Sequence, residues 1–459
     1  MNLRRWSFGT GFRNSALIAA PALLTLACGT ATQVASVYRL PANTRSLGDG
    51  PASGDVEVFR ESRWLERKAL VEAVLERNPS VAAAHEAWQA TLARYPQVTA
   101  LDDPTLSYTV APRSIVGDAR FGYAVELGQR VPFPGKRALE GAIVLAEAAA
   151  AQDDLQTTRL ELALSASTLF DDYVLVERSL AINARHQELL AELVASAQAQ
   201  YLIGRASQHD VLQAEVERAH LEHDAVVLQS DRATIIAQIN ALLHREPQAA
   251  LPPPPPELPV PTVPQPEQLP ALVEEALHNR PEIDVWRERR AGGEAAARLA
   301  ARQSYPDLEL MARYDSMWDT PEHRWMVGLG VTVPLQWDRR RAAVAEAEAQ
   351  AARARHELAR ARIAAQTEVF EAFRRAEDAR HVQALHAERI VPAARQQVAV
   401  ARAGFLAGRD SFLAVLAAER SLRTAELQLE IAHADLWRRL ARLARAVGRL
   451  ASEHFGGAR

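Results

Sequence analysis

Few side chains in this sequence stand at spacings that could do chemistry. His220 and His223 are three residues apart with Asp224 beside them, which places both imidazoles on one face of a helix. Such a pair can bind a metal ion, but two histidines without a third fixed ligand make no metal site, and solvated helix surface is the preferred reading. Met311, Met317 and Met326, near Trp318 and His323, form no thioether ladder that would mark a soft-metal site. A glycine-rich phosphate loop, a metal quartet and a Ser/His/Asp grouping at a nucleophile elbow are all missing. The sequence therefore predicts no enzyme, no cofactor and no resident metal. A net charge of −4 with 24% charged residues gives no nucleic-acid-binding signature.

The first 28 residues read as an address. Arg4, Arg5 and Arg13 precede an apolar run from Ala16 to Ala27, a signal peptide over 1–27 rather than a spanning helix. Cys28 is the only cysteine, so no intrachain disulfide can form. Leu24-Thr25-Leu26-Ala27-Cys28 resembles a bacterial lipoprotein box, although Thr25 and Leu26 depart from its usual pattern. Lipidation at Cys28 is expected; the alternative is an ordinary cut nearby that leaves a free thiol. No later apolar run approaches the 18 or so residues of a membrane-spanning helix.

Residues 136–246 contain no proline and only two glycines, Gly141 and Gly204, among strong helix formers. Beyond Gly204, Val211, Ala214, Leu221, Ala225, Leu228, Ile235, Ile239 and Leu242 follow a heptad seam, with Arg218 and Arg232 at the two skipped positions. The pattern predicts a long helical hairpin that turns at Tyr201-Leu202-Ile203-Gly204. A helix from Arg137 to Leu202 would extend about 100 Å, well beyond a globular core.

The chain is duplicated. Leu70-Val71-Glu72-Ala73 returns as Leu272-Val273-Glu274-Glu275, Asn78-Pro79 as Arg280-Pro281, Pro104 as Pro306 and Val131-Pro132 as Val333-Pro334, all at an offset of 202. Tyr201-Leu202-Ile203-Gly204-Arg205-Ala206-Ser207 returns as Phe405-Leu406-Ala407-Gly408-Arg409-Asp410-Ser411 at an offset of 204. The expected organisation is an extended N-terminal segment over 28–65, a first repeat over 66–246, a proline-rich linker over 247–268, a second repeat over 269–448 and a tail over 449–459. The unbroken run Pro252 to Pro256 suits an extended linker.

Each repeat reads as a helix, two strands and a long hairpin. In the first, a helix over 66–95 precedes strands near 104–112 and 120–128; in the second, strands fall near 306–315 and 324–333. Leu106, Tyr108 and Val110 alternate with polar residues, as do Phe121, Tyr123, Val125 and Leu127 with Glu126 and its neighbours. Leu308, Leu310 and Tyr314, then Trp325, Val327, Leu329 and Val331, repeat the pattern. Alternation over about nine residues, with aromatics near the ends, predicts strands of a membrane β-barrel rather than a soluble sheet. Four strands cannot close a barrel and open edges are not tolerated in lipid, so several chains must share one. A secretion signal, a lipid anchor and helices of this length together suggest a tube projecting from an outer membrane. Pro392 should kink the outgoing helix of the second hairpin, and the matching region near Glu188 lacks a proline.

Over roughly 65–448, the sequence resembles the bacterial outer-membrane efflux proteins of the TolC type. The hairpin ends carry the resemblance: Tyr201-x-x-Gly204-x-x-Ser207-x-x-Asp210-Val211-Leu212 and Phe405-x-x-Gly408-x-x-Ser411-x-x-x-Val415-Leu416. Val131-Pro132-Phe133-Pro134-Gly135-Lys136-Arg137 resembles members found in heavy-metal efflux systems. The resemblance implies a mainly α fold with a small membrane β-barrel portion, assembled as a homotrimer with a twelve-stranded barrel and a periplasmic helical tunnel. It implies an outer-membrane location and partners in a periplasmic adaptor and an inner-membrane pump, expected to be proton-driven. The chain would then be a passive exit duct for metal ions or small molecules; a type I protein-secretion duct is the alternative within the family. A periplasmic coiled-coil adaptor would have one hairpin and no such strands, and a lipoprotein hydrolase would need a site that is not found.

At the hairpin ends, Gly204 and Gly408 suit helix C-caps as well as reversals. Arg205 with Ser207, and Arg409 with Ser411, match an Arg-x-Ser motif that the family uses to contact adaptor tips. Ser207 and Ser411 could equally serve only as N-caps of the returning helices. Some members narrow the tunnel with aspartates where this chain has Ala414 and Ala417; Asp210 and Asp410 are the nearby carboxylates that could substitute.

Overall fold

Pro79 and Pro281 divide the opening helix of each repeat in two. The computed structural model describes Phe59 and residues 63–112, 121–202, 207–407 and 409–451. The expectations for the signal peptide, Cys28, Gly204, Arg205 and Gly408 lie outside those residues. Instead of one helix over 66–95, the chain forms α1 (Arg67–Arg77), α2 (Pro79–Leu92) and α3 (Arg94–Thr99). A proline excludes the residue before it from the helical region, and Asn78 has ψ 123°. Its side chain makes use of the break: Oδ1 accepts from the Ser80 N–H at 2.9 Å, and Nδ2 donates to the Leu242 carbonyl at 3.0 Å. The second repeat breaks in the same way at Arg280, ψ 117°.

The order continues with β1 (Thr105–Ala111), β2 (Gly122–Val131), α4 (Lys136–Leu202) and α5 (Gln208–Leu242). The second repeat supplies α6 (Leu269–Asn279), α7 (Pro281–Arg302), β3 (Asp307–Asp315), β4 (Trp325–Thr332) and α8 (Trp337–Leu385). It ends with α9 (Val391–Leu406) and α10 (Phe412–Val447). The 67 residues of α4 run without interruption, whereas a five-residue π-helical turn, His386–Ile390, separates α8 from α9. Pro392 lacks an N–H and would clash with the carbonyl four residues back, so the wider turn accommodates it. The two hairpins therefore differ where the proline placement says they should.

The described chain divides into two compact units that cut across the repeats. One contains Gln89–Ala148 and Ala291–Ala351 and holds the strands; the other contains Ala149–Arg290, the helices before Gln89 and the chain beyond Ala351. In the first unit the four strands form one antiparallel sheet in the order β1-β2-β3-β4, so β2 and β3 join the two repeats.

In the helical unit, each repeat packs its first helix on its own hairpin. Leu70, Val71 and Val74 of α1 meet Ala166, Phe170 and Tyr173 of α4 and Ile239 of α5. Leu272 and Ala276 of α6 meet Val369, Phe373 and Ala376 of α8 and Leu436, Leu440 and Leu443 of α10. Each large apolar side chain fully buried here contributes about 1.5–3 kcal/mol. The α5 seam is as spaced: Ala214, Leu221 and Ile239 are buried, and Val211, Ala225, Leu228, Ile235 and Leu242 half-buried. Arg218 is exposed, and Arg232 pairs with Glu177 of α4. The proline-rich stretch is extended but packed: Leu251 and Leu258 lie against the first core, Val263 joins the second, and the Pro253 carbonyl accepts from the Leu65 N–H at 2.9 Å.

Candidate functional site

Register sorts the sheet into two unlike faces. On one, Leu106 pairs with Leu127, Leu127 with Ala312 and Ala312 with Val327; one step along, Val125 lies between Tyr108 and Tyr314, and Tyr314 pairs with Trp325. This face is uncovered: Val327 is 91% exposed, Leu106 72% and Trp325 71%. A sheet with a soluble core would bury such a row, because exposed apolar patches of this size are costly in water. Near one end, Tyr108, Tyr123, Tyr314 and Trp325 form a continuous aromatic row with ring centroids 6.2, 5.8 and 5.1 Å apart. Aromatic girdles of this kind mark the edge of the apolar band of a membrane barrel. Among the described residues, no helix is long and apolar enough to cross a membrane.

The opposite face is ionic. Glu126 of β2 meets Arg313 of β3 at 3.6 Å, and Arg313 reaches on to Asp315 at 3.0 Å. The sequence marked Glu126 but missed its partner, because Arg313 is only one polar member of an alternating strand.

Where β2 leads into α4, the Val131–Arg137 motif forms a tight turn around Asp307. The carboxylate of Asp307 accepts from the Phe133 N–H at 2.8 Å, from Lys136 Nζ at 2.7 Å and from the Arg130 guanidinium at 2.9 Å. Gly135 sits at φ +90°, and a Cβ there would collide with the Arg302 guanidinium, which donates to the Pro134 carbonyl at 3.1 Å. The positive φ favours glycine, whereas the arginine could swing aside. Phe133 stacks on Tyr305 at 4.7 Å, and Lys136 also donates to the Tyr305 carbonyl at 3.0 Å.

The hairpin ends lie in the helical unit. Helix α4 ends at Leu202, and Ser207 caps α5 through a reciprocal capping box: its Oγ accepts from the Asp210 N–H at 3.2 Å, and the Asp210 carboxylate accepts from the Ser207 N–H at 3.0 Å and hydroxyl at 2.7 Å. Ser411 caps α10 from one side only, accepting from the Ala414 N–H at 3.3 Å, since Ala414 has no carboxylate to return the bond. Arg409 and Asp410 both donate backbone N–H groups to the Gly404 carbonyl, at 2.8 and 3.2 Å. The Asp410 carboxylate lies over Gly404, where a Cβ would meet it. Asp210 is thus engaged in capping and Asp410 is folded back on α9. Phe412 is buried among Leu190, Val194, Ala214 and Leu416, so the two hairpins share one apolar cluster near their ends.

Behind the ends, arginines and carboxylates tie helices together. Glu217 of α5 is engaged by Arg420 and Arg423 of α10, and Arg423 also reaches Asp224 at 3.1 Å. Asp224 is therefore occupied, and His220 and His223 are both exposed on α5. Glu426 receives His186 at 3.2 Å, Arg395 at 3.1 Å and Arg185 at 3.6 Å; the His186 hydrogen bond is the main reason its carboxyl lies below the usual range. Deeper in the unit, Arg67 is sandwiched between Asp171, which it hydrogen-bonds, and the Trp437 ring, 3.9 Å from its centroid. Burial pushes the Asp171 carboxyl up to about 7 against the pull of Arg67. Burial, with Glu288 and Asp154 close by, pushes Asp153 up to about 6.

Residues 272–449 match the family model described as outer membrane efflux protein. CusC, solved in a study of folding and transmembrane channel formation, is similar over 83% of this chain and 92% of its own, at 18% identity and a TM-score of 0.72. The outer membrane protein VceC of Vibrio cholerae covers 83% of this chain and 96% of its own, at 19% identity and a TM-score of 0.70. The open outer membrane channel MtrE of Neisseria gonorrhoeae covers 83% and 89%, at 18% identity and a TM-score of 0.69. At these identities the likeness is one of fold. No curated protein matches the chain. Residues 272–449, nearly the whole second repeat, thus resemble the outer membrane efflux protein family, and the chain over most of its length shares the fold of these solved proteins.

Proposed function

We propose that the protein is the outer-membrane exit duct of a tripartite efflux system. The observation that carries this reading is the sheet: an uncovered apolar face with an aromatic row, an ionic face behind it, and two edges, β1 and β4, that pair with no other strand among the described residues. In lipid those edges must be satisfied, and three copies pairing β4 of one with β1 of the next would close twelve strands around a polar lumen. The helical unit would then line the periplasmic passage. The duct is passive, and the energy comes from a proton-driven inner-membrane pump that hands metal ions or small molecules through a periplasmic adaptor. Cys28, in the same reading, is the acylated N-terminus of the mature chain, and a lipid mass increment on that residue tests it.

The adaptor meets the hairpin ends, with Gly204 and Gly408 at the reversals and Arg205 and Arg409 offered to partner carbonyls or carboxylates. Ser207 and Ser411 hold the returning helices so that those arginines are presented. Replacing Arg205 and Arg409 together by Glu inverts the local charge and should reduce adaptor cross-linking and efflux several-fold, with assembly and membrane insertion unchanged. Full cross-linking and efflux by that variant would remove the docking role and leave the serines as caps alone.

A further inference from the structure

An open cavity of about 610 Å³ lies in the strand-bearing unit, bordered by the β2–α4 turn, the end of β4 and the start of α8. Its lining is charged out of proportion to the chain as a whole, which is net negative. Five cations border it, Arg130, Lys136, Arg137, Arg339 and Arg340, against the carboxylates of Asp102, Glu140 and Asp307. Asp307 is already neutralised by Lys136 and Arg130, both hydrogen-bonded to it. The other three cations have no carboxylate partner at ion-pair distance among the described residues. Arg137 donates to the Thr99 carbonyl at 3.1 Å, and Arg340 to the Gln303 and Gln336 carbonyls at 3.3 Å. Four of the five bordering cations are guanidinium groups, whose planar forks suit oxyanions.

The placement follows from the duplication. Arg137 and Arg339 are separated by 202 residues, the offset of the repeat, and each stands five residues after the proline of its Val-Pro pair, Pro132 or Pro334. Both repeats thus deliver an arginine to the same cavity through the turn that leads from sheet to long helix. On the β2 side that turn is held by the Asp307 cage and by Gly135. The cavity also includes Arg130 and Thr332, and Arg130 shares a face of β2 with Glu126, so it opens on the ionic side of the sheet.

We propose that this cavity binds compact multivalent oxyanions through Arg137, Arg339 and Arg340, and that it biases the duct toward anionic, phosphate- or carboxylate-bearing solutes. The second clause rests on the exit-duct reading; the first does not.

The test uses the full-length protein in detergent, with sodium tripolyphosphate as the probe and isothermal titration calorimetry as the readout. Wild type should bind with an affinity that falls as salt is raised. The pair Arg137→Gln with Arg339→Gln should weaken binding by about a hundredfold or more, the loss expected for two charge-assisted contacts. The pair Arg137→Lys with Arg339→Lys, which keeps the charge, should retain most of it. Arg360→Gln with Arg374→Gln, on exposed positions of α8 elsewhere, should bind as wild type does. Absence of binding by wild type, or equal binding by the Gln pair, would overturn the site. In planar bilayers under a potassium chloride gradient, the Gln pair should shift the reversal potential toward cation preference, and an unshifted potential would overturn the bias. Retained binding with no conductance from any variant would support the site and overturn the duct.

Discussion

At the residue scale, the groups with shifted titration show where burial and neighbouring charge act on a carboxyl. Asp153 of α4 has its carboxyl raised to about 6 from an ordinary 3.8, by burial first and then by Glu288 and Asp154. The native state holds that proton more firmly than the unfolded chain does, so the group's contribution to stability is greatest below about pH 4 and declines as pH rises to about 6. Asp153→Asn should therefore raise the thermal midpoint of the helical signal at about pH 7.5 and leave it unchanged near pH 4. A midpoint raised equally at both values would show that charge is not the cause. The sequence does not reveal this group, since Asp153-Asp154 looks like ordinary solvated helix. Arg313 and Asp307 escaped for a related reason: a charged residue in an alternating strand gives its face but not its partner, and the partner comes from another repeat.

At the scale of elements, period and punctuation carried most of the information. The heptad of α5, the interruption before Pro392 and the strand pairs were legible because each follows from a local rule of spacing or of proline geometry. The split of the opening helices was equally written in Asn78-Pro79 and Arg280-Pro281, and was missed because apolar spacing continues across both breaks. β2 runs to Val131, beyond the expected 128, because its last residues pair with Leu308 and its neighbours on β3, a contact no local pattern announces. The Arg67–Asp171–Trp437 contact joins α1, α4 and α10, so it tests how these elements are locked. Above about pH 7, where the Asp171 carboxyl is ionised, Asp171→Leu leaves a buried arginine uncompensated and should cost about 3–5 kcal/mol of stability. Arg67→Met combined with Asp171→Leu should recover most of that loss in a double-mutant cycle of denaturant unfolding. Additive losses would mean that the two residues do not act as a pair.

At the scale of the whole molecule, the duplication is what makes the fold readable from one sequence. Two copies of helix, strand pair and hairpin put four strands in a single sheet with an uncovered apolar face, and the unsatisfied edges of that sheet point beyond the single chain. What the sequence could not supply was the cavity, because Arg137 and Arg339 become neighbours of one space only when β2 and β3 pair. The central claim is that three copies close one barrel in the outer membrane. Its most direct test is native mass spectrometry of protein extracted in mild detergent from separated membrane fractions. The outer-membrane fraction should yield a complex of three mature chains. A stable monomer, recovered from the soluble periplasmic fraction after signal removal, would contradict it.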